Sequence, residues 1–242
     1  MDIKTPAIVL RAFKYDDNSL IIDLLTEQLG RQSFICRISS GGKAQARRRL
    51  FQPLTLVFVY FDYRPKAHLQ RLKDARIAVP FATIQANPYK ASIALFLAEF
   101  LCQATKGEHE VADLYRYVEN SVRWLDGCTS SFANFHLVFM MRLSRFLGFY
   151  PNLDDYRDDA WFDLRDGIFT PEKPLHADCL APAEAEKIGL LMRMNYDTMH
   201  LFRMNRDERN RILEVILSYY RLHLPDFPKL NSVQVLRELF VS

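Results

Sequence analysis

Over the first eighty or so residues, short apolar runs alternate with clusters of turn-forming residues; from residue 87 onward the apolar positions fall at helical spacing instead. Residues 7–15 and Ser19–Thr26 are rich in Val, Ile, Leu and Phe and are separated by Asp16, Asp17 and Asn18, which predicts an antiparallel hairpin. Residues 27–30 read as a second turn, 31–38 as a third strand, 54–63 as a fourth and Leu69–Val79 as a fifth. In the fifth, Leu69, Leu72, Ala75 and Ile77 are apolar among Lys and Arg. Five short strands with one long connection, residues 39–53, suit a small closed barrel of the OB-fold type, although an SH3-like barrel satisfies the same pattern.

The helical part opens with Asn87 as an N-cap and Pro88 at the first helical position. Residues 91–101 are apolar on nearly every face, which predicts a buried helix. Residues 111–125 repeat Leu114, Val118, Val122 and Leu125, and residues 132–147 repeat Phe132, Phe135, Phe139, Leu143 and Phe146, so both are amphipathic. Gly148 to Asn152 stops the second of these, and residues 161–170 read as a hairpin with Asp166 and Gly167 in a type I′ turn. Helices resume over 183–194 and 207–224, the latter with Asn205 and Glu208 at capping-box spacing, and end with 232–240. The pattern is α+β: an N-terminal five-stranded OB-fold-like barrel over residues 1–80, then an all-helical domain over 81–242 with a small β-hairpin insert.

Composition alters this picture mainly through charge. At 49% hydrophobic and 25% charged residues the chain is average for a globular protein, and its net charge is +3. Residues 1–80, however, hold 14 Lys or Arg against 7 Asp or Glu, while the remainder holds 18 against 22. The positive excess belongs to the barrel and points to a polyanion there. It is densest in residues 39–53, where Lys43, Arg47, Arg48 and Arg49 follow Gly41 and Gly42, a flexible segment that lets backbone approach a phosphate. Cys36, Cys102, Cys128 and Cys179 are scattered without a C-x-x-C pair and read as reduced thiols of a cytoplasmic protein. Neither a signal-peptide core nor a window of the ~18 to 20 apolar residues of a membrane span is present.

The pattern of reactive residues predicts no catalytic site, no metal site and no cofactor. There is no phosphate-binding Gly motif, nucleophile elbow or His-Glu-x-x-His sequence. His176 and Cys179 have ligand-like spacing but lack two further ligands nearby, and Asp154, Asp155, Asp158 and Asp159, with Asp163 or Asp166, form an acidic run without an EF-hand pattern. Single-stranded nucleic acid binds by stacking bases on rings along a basic groove, which makes Phe13, Tyr15, Phe34, Phe58, Tyr60, Phe61 and Tyr63 candidates, about two-thirds of them expected in the core. Phe58 and Tyr60 share one strand face and Val57, Val59 and Phe61 the other. The basic inventory includes Lys14, Arg31, Arg37, Arg64, Lys66, Arg71, Lys73 and Arg76. Arg142 and Arg145, one turn apart beside an apolar stripe, suit an acidic, hydrophobic peptide. A protein-interaction scaffold with a purely structural barrel is the alternative reading.

The order of features resembles the bacterial recombination mediator family RecO. The matching pieces are residues 7–15, the run Ser19–Thr26 with Gly30 after it, the basic loop leading into 50–56, Gly148 to Leu153 after a helix, and Tyr219 to Leu224 followed by Lys229 to Ser232. The resemblance implies an OB-fold joined to a helical domain, binding of single- and double-stranded DNA, annealing of complementary strands, and loading of RecA onto strands coated with single-strand-binding protein. It also implies RecR and the acidic C-terminal tail of single-strand-binding protein as partners, with RecF as a further candidate. Within the frame it supplies, Lys43, Arg47, Arg48, Arg49, Arg37, Lys14, Arg71 and Lys73 are the expected DNA contacts, and Arg142 and Arg145 the expected peptide contacts. Many members carry a four-cysteine zinc module after the Pro-Asn-Leu stretch; here residues 154–180 contain only Cys179, so the insert is expected to replace that module by packing.

Overall fold

The computed structural model describes residues 1–38, 48–108 and 111–239. Five strands, β1 (Asp2–Asp16), β2 (Ser19–Thr26), β3 (Gly30–Arg37), β4 (Leu56–Asp62) and β5 (Leu69–Val79), close into a barrel in the order β1-β2-β3-β5-β4. All pairings are antiparallel except β3 with β5, which is parallel and short, from Ser33 opposite Leu69 to Ile35 opposite Arg71. Alternation decides what fills the barrel: Ile22, Leu24, Phe34, Val57, Val59 and Phe61 are fully buried. Phe34 and Phe61 meet edge to face at 4.8 Å.

Of the 39–53 connection, the described residues 48–53 are more than a flexible link. Residues 48–50 are helical, and Phe51 and, just past the segment, Leu54 are buried, Phe51 within the barrel core. Leu54 takes a left-handed backbone (φ 60°), its N–H donating to Val9 O at 2.8 Å. Burial of two large apolar side chains fixes this end of the segment, and spacing alone hid it because the arginines mask the apolar period. Gly30, at the β2–β3 turn, also has a positive φ (64°); a Cβ there would lie 2.9 Å from Glu108 O.

The chain divides into two compact units, residues 1–127 with Leu230–Leu239, and Cys128–Lys229. In the first, helices α1 (Pro88–Ala104) and α2 (Ala112–Gly127) accompany the barrel. Asn87 Oδ1 accepts the N–H groups of Tyr89 and Lys90, the cap the sequence predicts. The preceding link is pinned by Asp126, whose carboxylate accepts the N–H groups of Ala82, Thr83 and Ile84, while the buried Lys90 amine donates to Thr83 Oγ1 at 2.7 Å and Asp126 O at 3.1 Å.

The second unit contains α3 (Phe135–Leu143), a three-stranded sheet of β6 (Trp161–Asp163), β7 (Ile168–Thr170) and β8 (Cys179–Leu180), then α4 (Pro182–Arg193) and α5 (Arg206–His223). Helix α6 (Ser232–Leu239) returns to the first unit. Asn205 and Glu208 form the expected capping box on α5. The hairpin turn differs from expectation: Asp163 pairs with Ile168 across a four-residue loop, and Gly167 alone has a positive φ (68°). The Asp163 carboxylate accepts the N–H groups of Arg165 and Asp166, and this local turn displaces the two-residue type I′ geometry. The segments beginning at Gly148 and at Tyr219, far apart in sequence, pack together: Phe149 lies 5.8 Å from Tyr219, 5.0 Å from Tyr220 and, stacked, 5.0 Å from His223. Tyr219 Oη donates to Phe149 O at 2.7 Å.

Candidate nucleic-acid interface

On β3, Phe34 and Cys36 point into the core, which leaves Ile35 and Arg37 on the outer face. On β5, Gln70 and Leu72 point inward, and Arg71 and Lys73 outward. The β4–β5 pairing slips by one residue between Tyr60 opposite Asp74 and Phe61 opposite Leu72, so Lys73 is the extra residue of a β-bulge, a device that re-aims a side chain. The buried Gln70 shapes the loop before it, accepting from Arg64 N at 3.0 Å and donating to Arg64 O at 2.9 Å and Ala67 O at 2.8 Å. That clamp sets Arg64 beside β5.

Where β3 and β5 cease to pair, these residues line a groove of about 770 Å³ with Arg37, Arg64, Arg71 and Lys73 on its walls, and Asp16, Ser19 and Asp62 at its edges. Its carboxylates are already engaged. Asp62 accepts from the N-terminal amine at 2.9 Å and lies 3.7 Å from Arg64; the hydrogen bond from the amine holds its carboxyl below the usual range. Asp16 accepts from Asn18 N at 2.7 Å. Lys73 is cationic and bonds to Asp2, which raises its pKa and offsets part of its charge. A polyanion in the groove therefore meets two arginines, Arg37 and Arg71, together with Arg64 and Lys73, in a concave surface that concentrates their field. A smaller hollow of about 360 Å³, further back along β3, includes Arg31, His68 and Lys106.

The aromatic candidates divide differently from the expectation. Phe34 and Phe61 are in the core and Tyr63 packs against it, whereas Phe58 and Tyr60 are half-buried on the outer face. Fewer than two-thirds are internal, and cations lie over two of the outer rings: Arg76 lies 5.2 Å from the Phe58 centroid, and Lys4 and Lys73 lie 5.3 and 4.9 Å from that of Tyr60. Phe13 and Tyr15, on the β1–β2 hairpin, are 44% and 62% exposed.

This barrel is matched by a family profile described as Recombination protein O N terminal, over residues 1–81, and the following part by Recombination protein O C terminal, over 85–232. The chain belongs to the RecO family. It is 52% identical to DNA repair protein RecO of Phocaeicola vulgatus and 53% identical to that of Bacteroides fragilis, in each case over 98% of both chains. DNA repair protein RecO of Azobacteroides pseudotrichonymphae is 37% identical over the same share.

Of the residues expected to contact DNA in this RecO-family chain, the groove brings together Arg37, Arg71 and Lys73. Arg48 and Arg49 are exposed on the helical turn, and Lys14 holds Asp17 at 2.6 Å. Lys43 and Arg47 lie outside the described residues. Arg64, in sequence merely one of several basic residues, joins the groove through Gln70, a contact that no local pattern signals. Arg142 is half-buried and donates through Nε at 3.2 Å and Nη2 at 2.9 Å to Met194 O, at the end of α4, while Arg145 is exposed. No group of three or more His, Cys, Asp or Glu among the described residues could hold a metal ion. His176 Nε2 lies 3.0 Å from Asp163 Oδ2, and Cys179 Sγ lies 3.5 Å from His176 O, so this donor set does not fit the family's four-cysteine module.

Proposed function

We propose that this RecO-family chain is a non-catalytic DNA repair and recombination mediator, acting in the cytoplasm, that binds single- and double-stranded DNA through the barrel groove. The observation that carries this reading is the convergence of Arg37, Arg64, Arg71 and Lys73 on one concave surface whose carboxylates already have partners. Annealing then requires no bond-making chemistry: a surface that neutralises phosphates lowers the repulsion between two strands, and holding them close raises their effective concentration. Lys43 and Arg47, proposed from the sequence alone, and Arg48, Arg49 and Lys14 would be further phosphate contacts.

On this reading the chain anneals complementary strands and helps load RecA onto strands coated by single-strand-binding protein, with RecR as partner and RecF as a further one. The exposed Arg145 would meet the acidic tail of single-strand-binding protein, with Arg142 fixing the helix that presents it. Aromatic packing of Phe162 and Phe169 at 4.9 Å and of Tyr156 and Phe169 at 5.0 Å would do for residues 154–180 what zinc does in other members. The test is annealing of complementary strands coated with single-strand-binding protein, by the wild type and by a variant with Arg37, Arg64, Arg71 and Lys73 changed to Ala. Annealing by the wild type and its loss in the variant is the expected result; equal annealing by both removes the groove from the function.

A further inference from the structure

The β1–β2 hairpin carries two rings that the groove does not use. Phe13 sits opposite Ile21 with 44% of its surface exposed. Tyr15, 62% exposed, lies where the β1–β2 register slips between Lys14 opposite Leu20 and Asp16 opposite Ser19, which makes it the extra residue of a bulge. The same hairpin supplies Asp16 and Ser19 to the groove edge. The groove is thus bordered by two bulges, at Lys73 and at Tyr15, and bulges recur where a side chain must be aimed at a ligand.

Phe13 is also held in place. The Arg11 guanidinium lies 5.3 Å from its ring centroid, and Arg11 is itself fixed by Nε donation to Asp23, a carboxylate buried to 1% exposure. Asp23 in turn accepts from Ser33 Oγ on β3. A ring fixed by this relay loses little freedom when a ligand stacks on it. A large exposed aromatic next to cations is an apolar surface of a particular kind: it suits a planar, uncharged partner attached to an anionic chain. The bases of single-stranded nucleic acid have that character; those of a duplex are stacked on one another and unavailable. Two residues apart on a strand, the rings are separated by about 6 to 7 Å along β1, roughly two 3.4 Å base steps, so successive rings meet nucleotides of an unstacked strand rather than neighbouring bases of a helix.

We propose that Phe13 and Tyr15 are base-stacking platforms that give the groove a preference for single-stranded over duplex nucleic acid. The inference rests on the groove's being a DNA site, and the experiment separates the two. Binding of a fluorescent oligo(dT) and of a hairpin duplex of equal charge is measured for the wild type, for the F13A/Y15A variant and for F13W/Y15W. Each ring lost should weaken oligo(dT) binding about 10-fold, while duplex affinity changes less than about 3-fold. The Trp variant should keep its affinity and show oligo(dT)-dependent fluorescence quenching beyond that of the wild type. The inference is overturned, with the groove reading intact, if the Ala variant binds oligo(dT) like the wild type or loses both ligands equally. It is also overturned if that variant changes only the mass of the protein in solution, which would assign the rings to self-association. A wild type that binds neither ligand removes both readings. Both positions are exposed, so unchanged melting of the variants confirms that folding is not the cause.

Discussion

The first unit uses arginine in two opposite ways. In the groove, Arg37, Arg64 and Arg71 are exposed, and the nearby carboxylates are bound elsewhere or, at Asp62, shared with the chain's amino terminus. Around Asp23, Arg11 donates to the carboxylate and Arg31 Nη2 lies 3.6 Å from it, with Arg31 Nη1 bonding to Cys102 O of α1 at 2.7 Å. Burial pushes the Asp23 carboxyl up, but the Ser33 hydroxyl and the Arg11 and Arg31 charges outweigh it and hold it below the usual carboxylate range. Arg37 and Arg71 stand on the paired strands β3 and β5, whereas Arg11 on β1 and Arg31 on β3 flank the strand that carries Asp23. One cluster is open to a ligand and the other is consumed in joining β1, β2, β3 and α1, so the number of cations in a segment does not say which it is. What decides is whether a buried acid lies beneath them.

The largest effect should come from reversing charge in the groove. R37E/R71E should weaken single-strand binding more than about 100-fold at ~0.1 M salt, and should flatten the slope of log affinity against log salt by about two. Its melting should stay within ~0.5 kcal/mol of the wild type, because the replaced side chains are exposed. Asp23→Ala should invert that pattern. It leaves Arg31, 18% exposed, without its acid, and should cost about 3 kcal/mol by chemical denaturation, toward the low end for a broken buried pair because Arg11 is half exposed. Groove binding measured on the folded fraction should fall far less than in R37E/R71E. If Asp23→Ala melts like the wild type, the two uses of arginine are not distinct.

The barrel was legible because its determinants are local: period-two alternation, Asp16 to Asn18 in one turn, and Asn87 before Pro88 at a helix start. The charge imbalance pointed to the correct third of the chain for a basic surface. Less legible were the features that depend on distant residues. Gln70 places Arg64, a bulge turns Lys73, and Phe51 folds the end of the basic segment into the core. The segments at Gly148 and Tyr219 were readable as family features but not as a contact, since nothing in either announces that Phe149 stacks on His223. Arg142 shows the same limit: exposed by its position one turn from Arg145, it is in fact turned onto Met194 O.

That arginine supplies the next test. Arg142→Ala removes two hydrogen bonds from a charged donor to the carbonyl of Met194, the residue that ends α4, and should destabilise the protein by about 1.5 kcal/mol, with DNA affinity unchanged. Arg145→Ala should leave stability as it is and weaken binding of a peptide with the acidic tail sequence of single-strand-binding protein. Loss of that peptide in Arg142→Ala without loss of stability would return Arg142 to the surface role its spacing suggests.

The smallest effect concerns a carboxylate used, like Asp23, to hold elements together. Glu99 on α1 accepts from the N–H groups of Asn231 at 2.9 Å and Ser232 at 2.8 Å and from the Ser232 hydroxyl, and so caps the start of α6. Burial pulls its carboxyl upward, but these donors prevail and hold it below the usual 4.5. A carboxyl lowered by folding stabilises the folded state above its ordinary value, and that contribution disappears as pH falls through the lowered one. Glu99→Gln keeps the shape and one acceptor oxygen but not the charge, so near neutrality it should be about 1 kcal/mol less stable than the wild type. As the pH is lowered below 4.5 the wild-type carboxyl becomes protonated, and the two melting curves should converge. A gap that stays constant from pH 7 to pH 3 would show that the shape of the cap, rather than its charge, holds α6 to α1.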